Sequence, residues 1–450
     1  MPGINDRELV LDMLLSVERR EAYSHRLIKD VLTKYDYLSG QEKAFIKRLF
    51  EGTIERQIEL DYHLDKISST PTGKMKPLIR CLLRMSAYQI LYMDSVPDAA
   101  AINEAVKLAG KRKFYNLKGF VNGVLRQLAA RKDTLGMPSE EQEPVRFLSV
   151  AYSVPEWMAE HFLEQYDYET TKKILGGLLA VRPVTIRFCG RAKDREDLLQ
   201  KFSERGVRVK RHPYAEDAFY LENCDNIATL PGFEGGLFTV QDASSMLAVS
   251  AAGIREGDRV LDVCAAPGGK TALAAEYAGD NGFVEARDVS AYKVSLIEET
   301  IERLKCKNVS TRVWDATVSD EKSLESADVV LADVPCTGLG VIGKKRDIKY
   351  RQTKENLTAI TELQKDILRQ AVRYLKPGGT LLYSTCTINR AENEDMVSWM
   401  QKELSLTPVT VEPALRGFPK TETAKEGYMQ LLPGIHDTDG FFFAKLKRGL

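Results

Sequence analysis

Two cysteines of this 450-residue chain close similar runs of residues. Cys336 ends Asp333-Val334-Pro335-Cys336 after the apolar stretch Ala327 to Asp333, and Cys386 ends Tyr383-Ser384-Thr385-Cys386 after Thr380 to Ser384. Both stretches read as strands, so both thiols fall just past strand carboxyl ends, the edge where open α/β sheets bind ligands. A thiolate is a good nucleophile for one particular task. Added to carbon 6 of a pyrimidine such as cytosine, it makes carbon 5 enamine-like and able to take a methyl group from a sulfonium donor. Asp333 could hydrogen-bond the N3–N4 edge of that base and stabilise the adduct. His25, His63, His161, His212 and His436 are scattered outside these motifs, which leaves a thiolate, a carboxylate or water as the base.

A further strand-like run ends in Asp262-Val263-Cys264-Ala265-Ala266-Pro267-Gly268-Gly269-Lys270-Thr271 and passes directly into a helical pattern. Small residues and glycines at such a turn let a ligand approach the backbone, and the helix start offers it N–H groups. A phosphate loop would need glycine where Cys264 stands, and the GxGxxG dinucleotide fingerprint is absent. Asp288 closes the next strand, where a carboxylate can accept bonds from both hydroxyls of a ribose. Asp315 follows the third strand, in a position to meet an adenine amino group.

These residues need a scaffold, and the chain supplies one from Thr239 onward. Strand and helix patterns alternate: strands at 259–264, 283–288, 310–314, 327–333, 379–385 and 441–447, helices at 270–278, 290–304, 355–375 and 391–403. Such alternation predicts a doubly wound, mostly parallel sheet with right-handed crossovers. Up to Lys132 apolar residues recur at helical spacing, as in Leu9, Met13 and Val17 or Phe120, Val124 and Leu128, and predict an all-helical domain. Residues Asp133 to Pro144 carry turn chemistry and read as a linker. Helical patterns near 155–165 and 170–180 are followed by strand-like 184–189, a helix at 194–204 and strand-like 207–212 and 218–222, a small α+β domain. The expected division is therefore 1–133, 145–236 and 237–450.

Hydrophobic residues make up 44% and charged residues 28%, an ordinary globular balance with no large disordered fraction. No apolar run approaches the roughly 18 residues of a membrane helix and no signal-peptide core is present, so a cytoplasmic protein is expected. The seven cysteines are far apart, without a CxxC pair, and neither disulfides nor a structural metal are expected. Net charge is zero, but basic residues cluster: Lys107, Lys111, Arg112, Lys113, Lys118, Arg126, Arg131 and Lys132; then Arg205, Arg208, Lys210 and Arg211; then Lys344, Lys345, Arg346, Lys349 and Arg351. Together the three clusters point toward a phosphate backbone.

The motifs from Cys264 to Thr271, Asp333 to Cys336 and Ser384 to Cys386 resemble those of the bacterial ribosomal RNA cytosine-5 methyltransferases of the Nop2/Sun family. Val240-Gln241-Asp242-Ala243-Ser244-Ser245 and Asp439-Gly440-Phe441-Phe442 support the resemblance, which spans about 239 to 450. It implies a class I methyltransferase fold with S-adenosyl-L-methionine as cofactor. Cys264, Ala265, Ala266, Pro267, Gly268, Gly269, Lys270, Asp288, Asp315 and Asp333 would contact the cofactor, Cys386 would be the nucleophile, and Cys336 would assist product release. Asp333 thus has two readings, cofactor contact and catalytic group. Val334 departs from the family, in which alanine is the usual neighbour.

Pro97-Asp98-Ala99-Ala100-Ala101-Ile102-Asn103-Glu104-Ala105-Val106 and Gly119-Phe120-Val121-Asn122-Gly123-Val124-Leu125-Arg126 resemble a NusB-like RNA-binding domain. The middle segment is similar to the family's RRM-like or ferredoxin-like linking subdomain. This combination implies the small-subunit enzyme of the family, acting on 16S ribosomal RNA at cytosine 967; separately, a monomer is expected.

Overall fold

The computed structural model describes residues 5–189, 192–224, 226–415, 417–418 and 422–450; the remaining positions of the three expected segments lie outside the described residues. The described chain forms two compact units, 1–180 with 342–351, and 181–341 with 352–450.

The first unit is helical: α1 (Asp6–Glu18), α2 (Ser24–Lys34), α3 (Gly40–Glu55), α4 (Gln57–Ile67), α5 (Pro77–Tyr92), α6 (Asp98–Lys111), α7 (Lys118–Arg131), α8 (Pro144–Tyr152), α9 (Glu156–Gln165) and α10 (Tyr168–Leu179). Local chemistry fixes where they start. Ser39 and Glu42 form a reciprocal capping box at α3, and Pro77 and Pro144 stand in first turns, where a missing N–H costs nothing. The central helix α5 buries Ile79, Leu82, Leu83, Met85 and Ala87 among Val10 and Leu11 of α1, Leu49 and Phe50 of α3, and Val121 and Leu125 of α7. Helix α8 joins through the Ser153 hydroxyl, which accepts the Ile58 N–H at 2.9 Å.

Residues 342–351 also belong to this unit, although about 160 residues of the other unit separate them from α10. They correct one expectation. In the basic run that pointed toward a phosphate backbone, Lys344 is exposed, but Arg346 pairs with Glu51 and Glu55 at 3.2 and 3.1 Å and Lys349 is buried with its ammonium donating to the Glu55 carbonyl at 2.8 Å. Tyr350 donates to the Ile54 carbonyl at 2.9 Å, and Arg351 pairs with Asp347 at 2.7 Å. The run satisfies helix-end carbonyls and carboxylates inside the unit, which a count of charges along the chain does not reveal. In the first cluster too, Lys111, Arg112 and Lys132 pair with Glu8, Asp12 and Asp98. Lys107 and Lys118 line a shallow cleft together with Asn103 and Asn122.

The second unit contains β1 (Val184–Phe188), α11 (Ala192–Glu204), β2 (Arg208–Arg211), β3 (Ala218–Glu222) and β4 (Phe238–Val240), an antiparallel sheet in the order β2-β3-β1-β4. Phe202 and Leu198 of α11 pack on Ile186, Phe188, Leu221 and Phe238. Then follow α12 (Ala243–Ala252), β5 (Arg259–Asp262), α13 (Gly269–Ala278), β6 (Phe283–Asp288), α14 (Ala291–Arg303), β7 (Val309–Val313), β8 (Ala327–Asp333), α15 (Ile348–Arg351, part of the helical unit), α16 (Lys354–Arg373), β9 (Leu375–Thr385), α17 (Glu394–Glu403), β10 (Thr407–Pro408), β11 (Tyr428–Leu431) and β12 (Phe441–Lys447). The large sheet runs β10-β12-β9-β8-β5-β6-β7, with β11 on β12. Strands β9, β8, β5, β6 and β7 are parallel and β12 is antiparallel to β9, as the doubly wound, mostly parallel expectation requires. Val329, Val330, Leu331 and Ala332 are all buried, the continuous apolar run of a strand covered on both faces.

Two features set the carboxyl edge. Asp333 is in register with Ser384 across β8 and β9, so the segments leading to Cys336 and Cys386 leave the sheet side by side. Gly340 and Gly440 pass each other so closely that a Cβ on Gly340 would lie 2.0 Å from the Gly440 carbonyl oxygen. A Cβ on Gly440 would in turn lie 2.5 Å from the Gly340 Cα, which explains the glycine of Asp439-Gly440-Phe441-Phe442.

Candidate active site

The thiols of Cys336 and Cys386 lie 3.2 Å apart, sulfur to sulfur. The last ladder bond before them runs from the Val334 N–H to the Ser384 carbonyl at 3.2 Å, and the Cys386 carbonyl then accepts the Gly340 N–H at 3.1 Å. The hydrogen bond to Cys386, together with burial, pushes the Cys336 thiol well above its ordinary range. A shallow cleft of about 330 Å³ opens at Cys336 and Thr337, walled by Gln352, Asn356, Ile360 and Leu363. It has apolar flanks and two carboxamides, surroundings that suit a planar base.

Asp333 is held from two sides. Its Oδ2 lies 2.7 Å from the Lys270 ammonium, and its Oδ1 accepts the Ser384 hydroxyl at 2.7 Å. Burial acts to lower the Lys270 pKa, but the Asp333 carboxylate outweighs it and the net shift is upward. The ammonium also lies 5.2 Å from the centre of the Phe441 ring.

Asp333 and Lys270 share the wall of a second cavity, of about 190 Å³, with Asp262, Cys264, Ala265, Ala266, Pro267 and Gly269. Gly268 sits behind this turn with φ +102°, where a Cβ would meet the Ile297 Cα and Thr300 Cβ at 3.2 Å. As N-cap of α13 it brings no side chain to the first helical N–H groups. Burial pushes the Cys264 thiol well up, which suits a wall residue and not a nucleophile.

Asp288 and Asp315 flank this edge without lining the cavity. Asp288 is buried, accepts the Ala266 N–H at 3.0 Å and pairs with Lys293 at 3.0 Å, so it braces the turn at Ala266. Asp315 is exposed and accepts the Thr317 N–H and hydroxyl at 2.9 and 2.7 Å, bonds that lower its pKa.

Sequence comparison adds the family. The profile of the 16S rRNA methyltransferase RsmB/F family matches residues 250–447, that of the NusB family residues 4–130, and that of the RsmF/B-like ferredoxin-like domain residues 154–228. A Bacillus subtilis protein named as a probable ribosomal RNA small subunit methyltransferase B is 36% identical over 98% of this chain and 98% of its own length. The chain belongs to the RsmB/F family. A Cronobacter sakazakii member, ribosomal RNA small subunit methyltransferase B, is 34% identical over 91% of each chain. The crystal structure of PH0851 has the same fold over 99% of both chains, with a TM-score of 0.80 and 24% identity. This RsmB/F-family fold is that of an S-adenosylmethionine-dependent methyltransferase. Among the described residues no helix is long and apolar enough to cross a membrane.

The RsmB/F-family site also holds residues beyond those expected. Gln241, Asp242 and Ser245 line the cavity. Gln241 accepts from buried Arg187 at 2.8 Å and donates to the Gly269 carbonyl at 3.3 Å, which fixes the small sheet's last strand against the turn. Their signal was the polar motif from Val240 to Ser245, read as family support and not as wall. Asp262 is the second addition. It is buried, its Oδ2 accepts the Thr271 hydroxyl at 2.7 Å, its Oδ1 has no hydrogen-bond partner among the described residues, and burial raises its pKa to about 7.

Proposed function

We propose that this chain methylates carbon 5 of a cytosine in 16S ribosomal RNA, with cytosine 967 as the target and a covalent bond from Cys386 to carbon 6 of that base. The observation that carries the reading is the 3.2 Å apposition of Cys386 and Cys336 beside an aspartate that also walls the second cavity.

The residues of that cavity fit S-adenosyl-L-methionine. The uncapped start of α13 suits a carboxylate, and the unpartnered Asp262 Oδ1 suits an ammonium or amide donor. Cys264 to Lys270 and Asp333 would hold the cofactor there, with Asp288 and Asp315 at the ribose and adenine end of the same edge. When bound, the cofactor supplies a methyl group on a sulfonium.

Cys386 attacks carbon 6 as the thiolate, and the electron pair moves to carbon 5, which becomes nucleophilic toward the methyl group. Asp333, oriented by Lys270 and Ser384, accepts a hydrogen bond from the base's exocyclic amine. After methyl transfer the carbon 5 proton passes to a base, the double bond re-forms, and the Cys386 thiolate leaves. Cys336 lies next to the bond that breaks and assists this release. An exocyclic-amine methyltransferase would carry an aromatic residue where Cys336 stands.

The helical segment 1–133 serves as the RNA-docking domain and 145–236 as the link, and one chain suffices for activity. A base bonded to a thiol at this edge must leave its stack, which favours a loop or single-stranded target.

Methyl transfer to small-subunit RNA by wild type and Cys386→Ala tests the mechanism. Incorporation by the wild type alone is expected, and equal incorporation by both would remove Cys386 as nucleophile.

A further inference from the structure

Beyond the ends of β8 and β9 the sheet no longer sets the distance between the two thiols, and a buried carboxylate takes over. Glu392, in the turn between β9 and α17, is 0% exposed. Its Oε1 accepts the Thr337 hydroxyl and the Asn389 amide, the latter at 3.0 Å. Its Oε2 accepts the Thr337 backbone N–H at 2.9 Å and the Gln364 amide at 3.0 Å. Four donors thus meet the acceptor sites of one buried carboxylate, without which its burial would be strongly unfavourable.

The donors are placed around the thiols. Thr337 follows Cys336, and the Gln364 amide that reaches Glu392 also donates to the carbonyl of Pro335, which precedes Cys336, at 2.9 Å. The Thr337 hydroxyl is 2.8 Å from that of Thr387, the residue after Cys386. Glu392 therefore grips Cys336 through both of its neighbours and reaches Cys386 through the Thr337–Thr387 pair. We propose that Glu392 is a positioning residue that holds Cys336 and Cys386 at the separation the reaction needs, an inference that rests on the mechanism given above.

Replacing Glu392 with glutamine puts an NH2 group among donors. On one side stand the Thr337 N–H and the Gln364 amide, on the other the Thr337 hydroxyl and the Asn389 amide. Asn389 cannot turn without losing the bond that its oxygen accepts from the Ala391 N–H. The turns then separate while the hydrophobic core stays as it was.

The first readout needs neither RNA nor cofactor. Diamide takes two electrons and two protons from a pair of neighbouring thiols and leaves a disulfide, and the linked Cys336 and Cys386 peptides are quantified by mass spectrometry. Glu392→Gln, assayed while folded by circular dichroism, is expected to form this disulfide about tenfold more slowly than wild type and to show about a tenfold lower kcat, with KM for RNA little changed. Lost stability alone would not slow disulfide formation in the folded enzyme. If Glu392→Gln does not fold, Thr337→Val, which keeps the volume and removes the hydroxyl, takes its place with the same expectation. Disulfide formation at the wild-type rate, or an unchanged kcat, overturns the proposal. Cys386→Ala is assayed alongside: full activity there would sink the mechanism and leave the thiol-spacing readout standing, so the two failures are told apart.

Discussion

The ammonium of Lys270 lies 2.7 Å from the Asp333 carboxylate, and this ion pair joins the glycine turn ahead of α13 to the end of β8. Lys270→Met should leave Asp333 without its cation. A hydrogen bond to a charged group contributes about 1.5–3 kcal/mol, so kcat/KM should fall about 10- to 100-fold. Steady-state methyl incorporation checks this, and wild-type kinetics would show that the pair does not orient Asp333.

Cys336→Ala should retain the attack by Cys386 and slow its departure. A protein–RNA adduct is then expected on a denaturing gel, one that Cys386→Ala does not form. Turnover without accumulation would mean that Cys336 has no part in release.

Gly268→Ala places a side chain at φ +102° and against Ile297 and Thr300. A non-glycine residue in that conformation costs on the order of 1–3 kcal/mol, so the melting temperature should drop and S-adenosylmethionine should bind several-fold more weakly by calorimetry. Unchanged cofactor affinity would exclude this turn from the cofactor site.

Burial raises Asp262 to about 7 from an ordinary 3.8, so the folded state keeps its proton over a range in which the unfolded chain has lost it. That stabilisation is complete below pH 3.8 and is lost as pH rises through 7. Asp262→Asn removes the dependence. Denaturant melts at pH 4.5 and 7.5 should show the wild type losing more stability than the variant over that interval; parallel losses would show that Asp262 does not titrate in this way.

Lys349 shows the reverse dependence, because burial lowers it from 10.5 to about 7. Its stabilisation is present above pH 10.5 and is lost as pH falls through 7. Relative to Lys349→Met, the wild type should therefore gain stability between pH 7 and 10 in guanidinium melts. A constant difference would mean that the ammonium stays charged throughout.

The carboxyl edge of the large sheet was legible because strands such as Ala327 to Asp333 carry an unbroken apolar run, here Val329 to Ala332, and end on residues with chemical function. The ends of β6 and β8 fall on Asp288 and Asp333 as expected, while β5 stops at Asp262, two residues earlier than its apolar pattern, and the short strands β4, β10 and β11 carry too few residues to show a period. Partners in space were harder to read. Asp315 looks like a ligand in sequence because it follows a strand, yet its nearest donors belong to its own turn at Thr317. Gln241 looked like part of a preface to the fold, and its contact with Gly269 depends on a sheet that local pattern could not orient. The run from Lys344 to Arg351 misled most, since a series of cations points toward a phosphate backbone until Glu51, Glu55 and Asp347 are seen beside Arg346 and Arg351.

That run also bears on how such a chain can change over generations. The polypeptide passes between the two units three times, at 180/181, 341/342 and 351/352. Recombination that exchanged only residues 1–180 for another helical segment would strand Lys349 and Tyr350 without the Glu55 and Ile54 carbonyls they now bind. Residues 1–180 and 342–351 are therefore expected to be inherited together, and chimaeras of related enzymes should express well only when residues 342–351 travel with the helical unit.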